Sequence, residues 1–205
     1  MYRRNSISTD IAKCLYDEDW AVFEENGAYH ISAACFHSAQ TTDDFTIDLI
    51  ISCMTAVQSN ALIGFSEGTD QAVIRFATVV GYKLQIPSIQ LTAPNEMGPL
   101  CSVADNLPRS CSLLLSYVSS ENQLSEVICE VKKRLSSIKK LNWNISQVIA
   151  MVDEDTNAEL MCREMEIDFK RLTTLSEILD KINRIPSCDR IRIQRIFELL
   201  ARNRS

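Results

Sequence analysis

Short apolar runs alternate with longer segments of helical periodicity through most of this chain, and this alternation restricts the fold more than any other feature. Buried strands are predicted at residues 61–65, 86–91, 111–115, 145–152 and 167–172. Helices are predicted at residues 70–82, 123–138, 158–165 and 174–182, the last opened by the capping box Thr174 to Glu177. The pattern predicts an α/β fold, a mostly parallel sheet flanked by helices. Ligands of such sheets bind beyond the carboxyl ends of the strands, so the strand-to-helix loops are the candidate sites.

The two ends of the chain depart from this alternation. Helices are predicted at residues 7–16 and 41–58, short strands at 20–23 and 28–32, and a hairpin strand at 100–104. The last 22 residues carry six arginines against two acids and have an apolar face, so they are predicted to form a basic amphipathic helix. We therefore predict an α/β domain at residues 1–183 and a basic helical tail at residues 184–205.

Composition and charge exclude several classes of protein. The chain is 46% apolar and 23% charged with a net charge of −6, which is typical of a globular protein and not of a disordered or fibrous one. No stretch approaches the roughly 18–20 apolar residues of a membrane span. The N-terminus leads into no apolar signal core, so a cytoplasmic protein is expected. The basic tail has no aromatic platform or RNA-binding motif, so nucleic-acid binding is not expected.

The eight cysteines are predicted to be core residues. No two of them are separated by only two residues, and most lie in apolar runs, as expected of buried thiols in a reducing compartment. The nearest approach to a metal-ligand cluster is His30, Cys35 and His37. Because zinc needs more closely grouped ligands, no metal site is predicted.

One motif suggests a hydrolase. Gly64, Ser66 and Gly68 fit G-x-S-x-G between a predicted strand and a predicted helix, which is the context of a nucleophile elbow. An α/β-hydrolase places its catalytic histidine after the serine, whereas His30 and His37 both precede Ser66. Ser66 is therefore interpreted as a turn residue.

Glycine is scarce. Loops that bind phosphate use glycine because the backbone N–H groups must approach the anion closely. The chain has five glycines in 205 residues, whereas average usage is about 7%. Five glycines in the whole chain are few for building two glycine-rich phosphate-binding loops.

Four segments nevertheless form an ordered set of motifs: residues 62–68, L-I-G-F-S-E-G, the segment 81–87, residues 148–153, V-I-A-M-V-D, and residues 172–179, L-T-T-L-S-E-I-L. Together they resemble the orotate phosphoribosyltransferases, which have the type I phosphoribosyltransferase fold. The first two segments resemble the family's pyrophosphate loop and next strand, and the last two resemble its strand that ends in an acidic residue and its following helix start. The resemblance covers residues 7–182. It implies a homodimer that joins a base to the ribose of phosphoribosyl pyrophosphate with the help of Mg²⁺.

The loop that holds the 5′-phosphate in that family is altered here. By resemblance, Ser116 and Tyr117 occupy the positions of two acids that hold the ribose hydroxyls. Asn122 stands at a glycine position, and Glu121 places a negative charge beside the expected phosphate. Two like charges about 4 Å apart repel by roughly 4 kcal/mol at an effective dielectric constant of about 20.

The other loops depart from the family pattern as well. Glu67 adds a negative charge to the presumed pyrophosphate loop. The mobile loop that brings a catalytic lysine to the substrate is reduced to residues 95–98, and no lysine or arginine occurs between it and Arg109. The family's Asp-Arg pair is replaced by Asp153 and Glu154.

The sequence thus favours an orotate phosphoribosyltransferase-like protein that has lost catalysis and acts in binding, regulation or assembly. Its expected partners are a second copy of itself, an active paralogue or a small-molecule ligand, and no catalytic residue, metal or cofactor is predicted. The candidate ligand-binding residues are those at the altered loop positions: Ser66, Glu67, Gly68, Ser116, Tyr117, Ser119, Ser120, Glu121 and Asn122.

The alternative is a divergent but active orotate phosphoribosyltransferase of pyrimidine (UMP) biosynthesis that uses phosphoribosyl pyrophosphate. In that case Asp153, Glu154 and Asp155 could hold Mg²⁺. The competing interpretation of residues 153–157 is a solvated loop with helix-capping acids, and the sequence favours it.

Overall fold

The computed structural model describes residues 9, 22–25, 28–31, 40–66, 72–92, 96–97, 109–138, 142–154, 156–182 and 184. The strands in these ranges are β1 (Val22–Glu25), β2 (Ala28–Ile31), β3 (Ala61–Ser66), β4 (Ser88–Thr92), β5 (Glu96–Met97), β6 (Arg109–Val118), β7 (Trp143–Asp153) and β8 (Asp168–Thr174). The helices are α1 (Gln40–Ala56), α2 (Ala72–Leu84), α3 (Glu121–Ser137), α4 (Ala158–Glu164) and α5 (Leu175–Ile182). The predicted strand at 100–104 lies outside the described residues. So do the predicted helix at 7–16 and the predicted tail at 184–205, except for Thr9, which is helical, and Arg184.

The main sheet has six strands in the order β5-β4-β3-β6-β7-β8. Its last five strands in that order are parallel, and β5 pairs antiparallel with β4. β1 and β2 form a separate antiparallel pair. The prediction of a mostly parallel α/β sheet flanked by helices is therefore confirmed.

The strand order reverses at β3. The chain first runs outward from β3 to β4 and then returns to place β6 on the other side of β3. In open α/β sheets this reversal opens a crevice between the carboxyl ends of the two strands that flank it. A ligand site is therefore expected at the carboxyl ends of β3 and β6.

Two apolar cores cover the faces of the sheet. α1, α2 and α5 pack on one face through residues such as Ile50, Phe76 and Ile178. α3 and α4 pack on the other face, and Val131 and Cys162 belong to that core. All six residues of β3 are buried, as expected of a central parallel strand covered on both faces.

Two of the glycines serve close packing. A Cβ at Gly64 would lie 2.9 Å from the Ala77 Cβ, so Gly64 lets α2 approach β3. A Cβ at Gly81 would lie 2.9 Å from the Ser88 Oγ. Distances this short require a neighbour to move, so these positions call for a residue without a side chain. The first glycine of the G-x-S-x-G motif is thus explained by packing.

Three helices end without the glycine that usually follows a helix. Gln58, Gln85 and Glu166 have φ values of 56°, 54° and 58°. In each case the next residue donates its N–H to a carbonyl five residues back, as in Ser59 to Met54 at 3.0 Å. These are Schellman endings, in which the left-handed residue is commonly glycine.

The cysteines follow the core prediction only in part. Cys111 and Cys162 are buried, Cys53 is half-buried, and Cys129 is exposed on α3. All four are free thiols. The prediction of buried packing is wrong for Cys129, because position 129 lies on the solvent side of an amphipathic helix. Among the described residues, no helix is long and apolar enough to cross a membrane.

Candidate functional site

The carboxyl ends of the parallel strands form one edge of the sheet. Ser66, Thr92, Val118, Asp153 and Thr174 are the last residues of β3, β4, β6, β7 and β8, respectively. Most of the candidate residues belong to the loops that follow β3 and β6 or to the ends of those strands. Because these two strands flank the point where the strand order reverses, a ligand of this type of sheet would be expected beside the ends of β3 and β6.

The loop between β6 and α3 is closed by its own side chains. The Gln123 N–H donates to the Ser120 Oγ at 3.1 Å, which makes Ser120 the N-cap of α3. The Gln123 Oε1 accepts hydrogen bonds from the Ser119 N–H and the Ser119 Oγ, both at 2.9 Å. Three donors at the start of α3, the Gln123 N–H, the Ser119 N–H and the Ser119 Oγ, are therefore already bonded to side chains of the same loop. This arrangement is a variant of the capping box.

Glu121 joins this loop to the next one. Its Oε1 accepts a hydrogen bond from the Asn157 N–H at 2.9 Å, across 36 residues of sequence. Asn157 is the N-cap of α4 and makes no capping hydrogen bond with its own side chain. A carboxylate at the start of a helix is favoured by the partial positive charge of the unpaired N–H groups there. Asn122, the next residue of α3, is exposed.

Ser116 and Tyr117 lie on the last part of β6 and are half-buried. Tyr117 pairs with Val152 of β7 and packs against the core formed with α1, α2 and α5. Neither residue carries a charge at neutral pH. The last part of β6 thus presents a hydroxyl and an aromatic ring before its final residue, Val118.

Asp153, at the end of β7, is fully buried. Its Oδ2 accepts a hydrogen bond from the Arg171 Nη1 at 2.9 Å, and its Oδ1 accepts from the Thr156 Oγ1 at 2.7 Å and the Thr156 N–H at 3.1 Å. The interpretation of this residue as part of a solvated loop is therefore wrong. The neighbouring strand β8 supplies a cation, and burial of the carboxylate follows from that pairing. The capping role holds indirectly, since the Ala158 N–H donates to the Thr156 Oγ1 at 3.2 Å.

The end of β3 differs from the prediction. Ser66 was expected in a turn, but it is the last strand residue, pairs with Thr92 and is 1% exposed. The reason is that β3 continues one residue beyond its apolar run, with β4 beside it. Glu67 and Gly68 lie outside the described residues.

Arg134 of α3 contacts the last residue of β4 and is engaged in packing. The Arg134 Nη1 donates to the Thr92 carbonyl at 2.8 Å, its Nε contacts the Glu130 Oε1 at 2.7 Å, and its guanidinium lies 6.0 Å from the centre of the Phe65 ring. The hydrogen bond from Arg134 lowers the pKa of Glu130. The guanidinium therefore ties α3 to the sheet.

No group of three or more metal-ligating side chains occurs among the residues that the structure describes. The expected capping box is present: the Glu177 N–H donates to the Thr174 Oγ1 at 3.1 Å, and the Thr174 N–H donates to the Glu177 Oε2 at 3.2 Å.

Sequence reasoning missed Gln123, Thr156 and Arg171. Gln123 could have been found, since Ser120 and Gln123 have the S-x-x-Q spacing of a capping box. Arg171 carried no such signal, because its partner lies 18 residues away on another strand.

Comparison with solved structures identifies the fold. The chain matches UMP synthase from Leishmania donovani with a TM-score of 0.66 and 14% identity, over 95% of this chain and 42% of that one. It matches orotate phosphoribosyltransferase from Aeropyrum pernix with a TM-score of 0.58 and 14% identity, over 84% of this chain and 99% of that one. A third match is the orotate phosphoribosyltransferase of Mycobacterium tuberculosis in complex with phosphoribosyl pyrophosphate, with a TM-score of 0.59 and 12% identity over 86% and 98% of the two chains.

These matches show the type I phosphoribosyltransferase fold, and the expectation about the fold is confirmed. The chain spans less than half the length of the Leishmania donovani UMP synthase chain. No family model matches the sequence, and no curated protein matches it either.

Proposed function

We propose that this protein keeps the phosphoribosyltransferase fold without phosphoribosyl transfer, and acts as a binding, regulatory or assembly protein. The observation that carries the proposal is the closed start of α3. The Ser120 Oγ accepts the Gln123 N–H, and the Gln123 Oε1 accepts the Ser119 N–H. Glu121 adds a carboxylate at the same place. In orotate phosphoribosyltransferases this is the loop that holds the 5′-phosphate.

The physical argument concerns donors and charge. A phosphate binds at a helix start because unpaired N–H groups and the helix dipole face it. Here the N–H groups of Ser119 and Gln123 donate to side chains, and the Leu124 N–H donates to the Ser120 carbonyl at 3.1 Å. A phosphate would have to displace these bonds and approach Glu121, at a repulsion of roughly 4 kcal/mol per pair of unit charges about 4 Å apart.

The ribose-binding positions support the same proposal. Two carboxylates that accept ribose hydroxyls would be replaced by Ser116 and by Tyr117, whose ring packs against the core. An aromatic side chain held in this way cannot replace a pair of hydrogen-bond acceptors.

A working enzyme would need a different use of Asp153. As a Mg²⁺ ligand it would have to give up its contacts with Arg171 and Thr156, which already engage both carboxylate oxygens. Magnesium favours carboxylate oxygens that face water and substrate phosphates. The buried and paired Asp153 therefore favours the proposal of lost catalysis.

We further propose that the protein works in the cytoplasm as a homodimer or in a pair with an active paralogue. The free thiols of the four described cysteines suit a reducing compartment. Light scattering coupled to size-exclusion chromatography tests the assembly, on the full chain alone and mixed with an active orotate phosphoribosyltransferase from the same cells. A monomer in both samples would remove the assembly role.

The test of lost catalysis is an orotidylate-formation assay with orotate, phosphoribosyl pyrophosphate and Mg²⁺. We expect no turnover above the background without protein. Asp153→Asn is the matched variant, with circular dichroism to report on folding. Turnover by the wild-type chain that falls in folded Asp153→Asn would favour the active enzyme and contradict the proposal.

A further inference from the structure

A row of three polar side chains crosses the sheet beneath α1. Ser112 of β6, Gln147 of β7 and Asp168 of β8 are direct neighbours in the strand pairing, and we call them the polar row. Ser112 and Gln147 are fully buried, and Asp168 is half-buried. The polar row lies near the amino ends of these strands, at the opposite edge of the sheet from the candidate functional site.

Gln147 is the centre of the polar row and is fully hydrogen-bonded. Its Oε1 accepts a hydrogen bond from the Ser112 Oγ at 2.8 Å, and its Nε2 donates to the Asp168 Oδ2 at 3.0 Å. The same Nε2 donates to the carbonyl of Cys53 in α1 at 3.2 Å. The oxygen and both amide hydrogens of this side chain are therefore in use. A buried amide without such partners is costly, so Gln147 fits this one place in the core.

The polar row adjoins an irregularity in the pairing of β6 with β7. Cys111 pairs with Ile145, but Ser112 pairs with Gln147, so Ser146 is an extra residue on β7. A slip of β7 by one residue would turn Gln147 to the opposite face of the sheet, away from all three partners. The middle of β7 is apolar on both faces, so its apolar residues do not select the register. The hydrogen bonds of Gln147 do select it.

The docking of α1 needs a similar selection. Leu49, Ile50 and Ile51 are consecutive in α1, and all three belong to or pack against the same core. Successive helical residues lie about 100° apart, so these side chains surround more than half of the helix. Hydrophobic burial therefore leaves the rotation of α1 on the sheet weakly specified. The bond from Gln147 to the Cys53 carbonyl forms only when this carbonyl faces β7.

We propose that Gln147 is a positioning residue that, through the polar row, selects one register of β7 and one docking of α1. Buried polar groups can give a fold this kind of conformational specificity, because a wrong arrangement leaves them without partners. The inference does not rest on the proposed function, since the polar row would serve an active or an inactive protein of this fold equally.

Gln147→Met in the full chain tests the proposal, because methionine has a similar length and makes none of the three bonds. We expect the amides of Ile50 and Met54 in α1 to lose about tenfold more protection against hydrogen exchange than the amide of Ile63 in β3. We also expect a second set of NMR peaks from β7, due to the slipped register. Equal loss of protection in α1 and β3, or a single set of peaks from β7, would contradict the proposal.

A second variant separates positioning from stability. In Ser112→Ala/Gln147→Met the buried hydroxyl that lost its Gln147 partner is also removed, so the urea midpoint should recover in part. The selective loss of protection in α1 should remain, because the bond to the Cys53 carbonyl is still absent. Recovery of the α1 protection together with the midpoint would show that Gln147 only satisfies its buried neighbour, and would overturn the proposal.

The matched control is Gln90→Met. Gln90 is a buried glutamine of β4 whose side chain bonds to Thr78 of α2, outside the polar row. This change should lower the urea midpoint without a selective loss of protection in α1. A selective loss there as well would contradict the role of Gln147. Turnover with phosphoribosyl pyrophosphate would contradict the proposed function and would leave these exchange measurements valid.

Discussion

At the scale of single residues, Asp153 is a buried carboxylate whose two oxygens both accept hydrogen bonds from other residues of the protein. Arg171 from the adjacent strand faces one oxygen, and Thr156 from the following loop faces the other. A fully buried charge is tolerated only when it is paired and hydrogen-bonded in this way. Asp153 therefore fixes the path of the chain from β7 into α4 and connects β7 with β8.

Replacing Asp153 with Asn should destabilise the protein by about 2–3 kcal/mol, because the new NH2 group must face a donor, either the Arg171 guanidinium or the Thr156 N–H. Urea unfolding measures this change. The control is Asp180→Asn at an exposed position on α5, for which we expect a change within about 0.5 kcal/mol. Equal effects of the two substitutions would show that the Asp153 network does not stabilise the fold.

The cysteines should differ sharply in reactivity. Burial raises the pKa of Cys111 to about 12, and burial together with the negative charge of Asp168 raises the pKa of Cys162 to about 11. At about pH 8 a thiol reagent should therefore modify Cys129 in the native protein and leave Cys111 and Cys162 unmodified, as measured by mass spectrometry of peptides. Rapid native labelling of Cys111 would contradict the buried environment.

The same shifts predict a loss of stability at high pH. Both folded-state values lie above the ordinary value of 9.0, so the neutral thiols are favoured in the folded state. Their contribution is fully present below about pH 9, and it is lost as the pH rises towards the folded values, because the unfolded thiols ionise first. Replacing Cys111 with Ala should reduce the part of this pH dependence that the buried thiol causes.

The sequence predicted the position of the candidate residues relative to the strands better than the contacts that these residues make. That Glu121 and Ser120 follow a buried strand is readable from the apolar run before them. The bond from Asn157 to Glu121 and the pairing of Arg171 with Asp153 depend on strand register and loop geometry across 36 and 18 residues. Local sequence patterns contain no information about contacts of that range.

At the scale of elements, the helix ends show how a glycine-poor chain closes its loops. Gln58, Gln85 and Glu166 adopt the left-handed conformation after α1, α2 and α4. A side chain in this conformation crowds the following carbonyl, at a cost of about 1–2 kcal/mol relative to a right-handed residue. The hydrogen bonds of the Schellman endings hold these residues there.

Replacing each of these three residues with Gly should therefore raise the free energy of unfolding, by up to about 1 kcal/mol per site. Thermal or urea unfolding of the single and triple variants measures the change. Glu126→Gly in the middle of α3 is the control and should lower stability by about 1 kcal/mol. A loss of stability at all three left-handed sites would contradict the explanation.

Most elements were predictable because their signals are local. The apolar runs that predicted β3, β7 and β8 and the capping box at Thr174 all lie within a few residues. β5 was not predicted, and its residues were assigned to a shortened loop. Two residues carry no periodic pattern, and Glu96–Met97 becomes a strand only because β4 offers an edge to pair with.

At the scale of the whole molecule, the fold and the ligand-handling loops depend on different residues. The five parallel strands and their two cores rest on apolar positions, which the chain has kept in the pattern of the type I phosphoribosyltransferase fold. The loops depend on backbone donors and charge, and there the chain has Glu121 and a self-capped helix. We propose on this basis that the fold has persisted while the chemistry of the site has changed, since function belongs to the site.

The most direct test of this account is isothermal titration of the full chain with phosphoribosyl pyrophosphate in the presence of Mg²⁺. The account predicts no saturable heat up to millimolar ligand, because the start of α3 is closed and carries a carboxylate. Saturable binding of about one ligand per chain, at millimolar affinity or tighter, would contradict it.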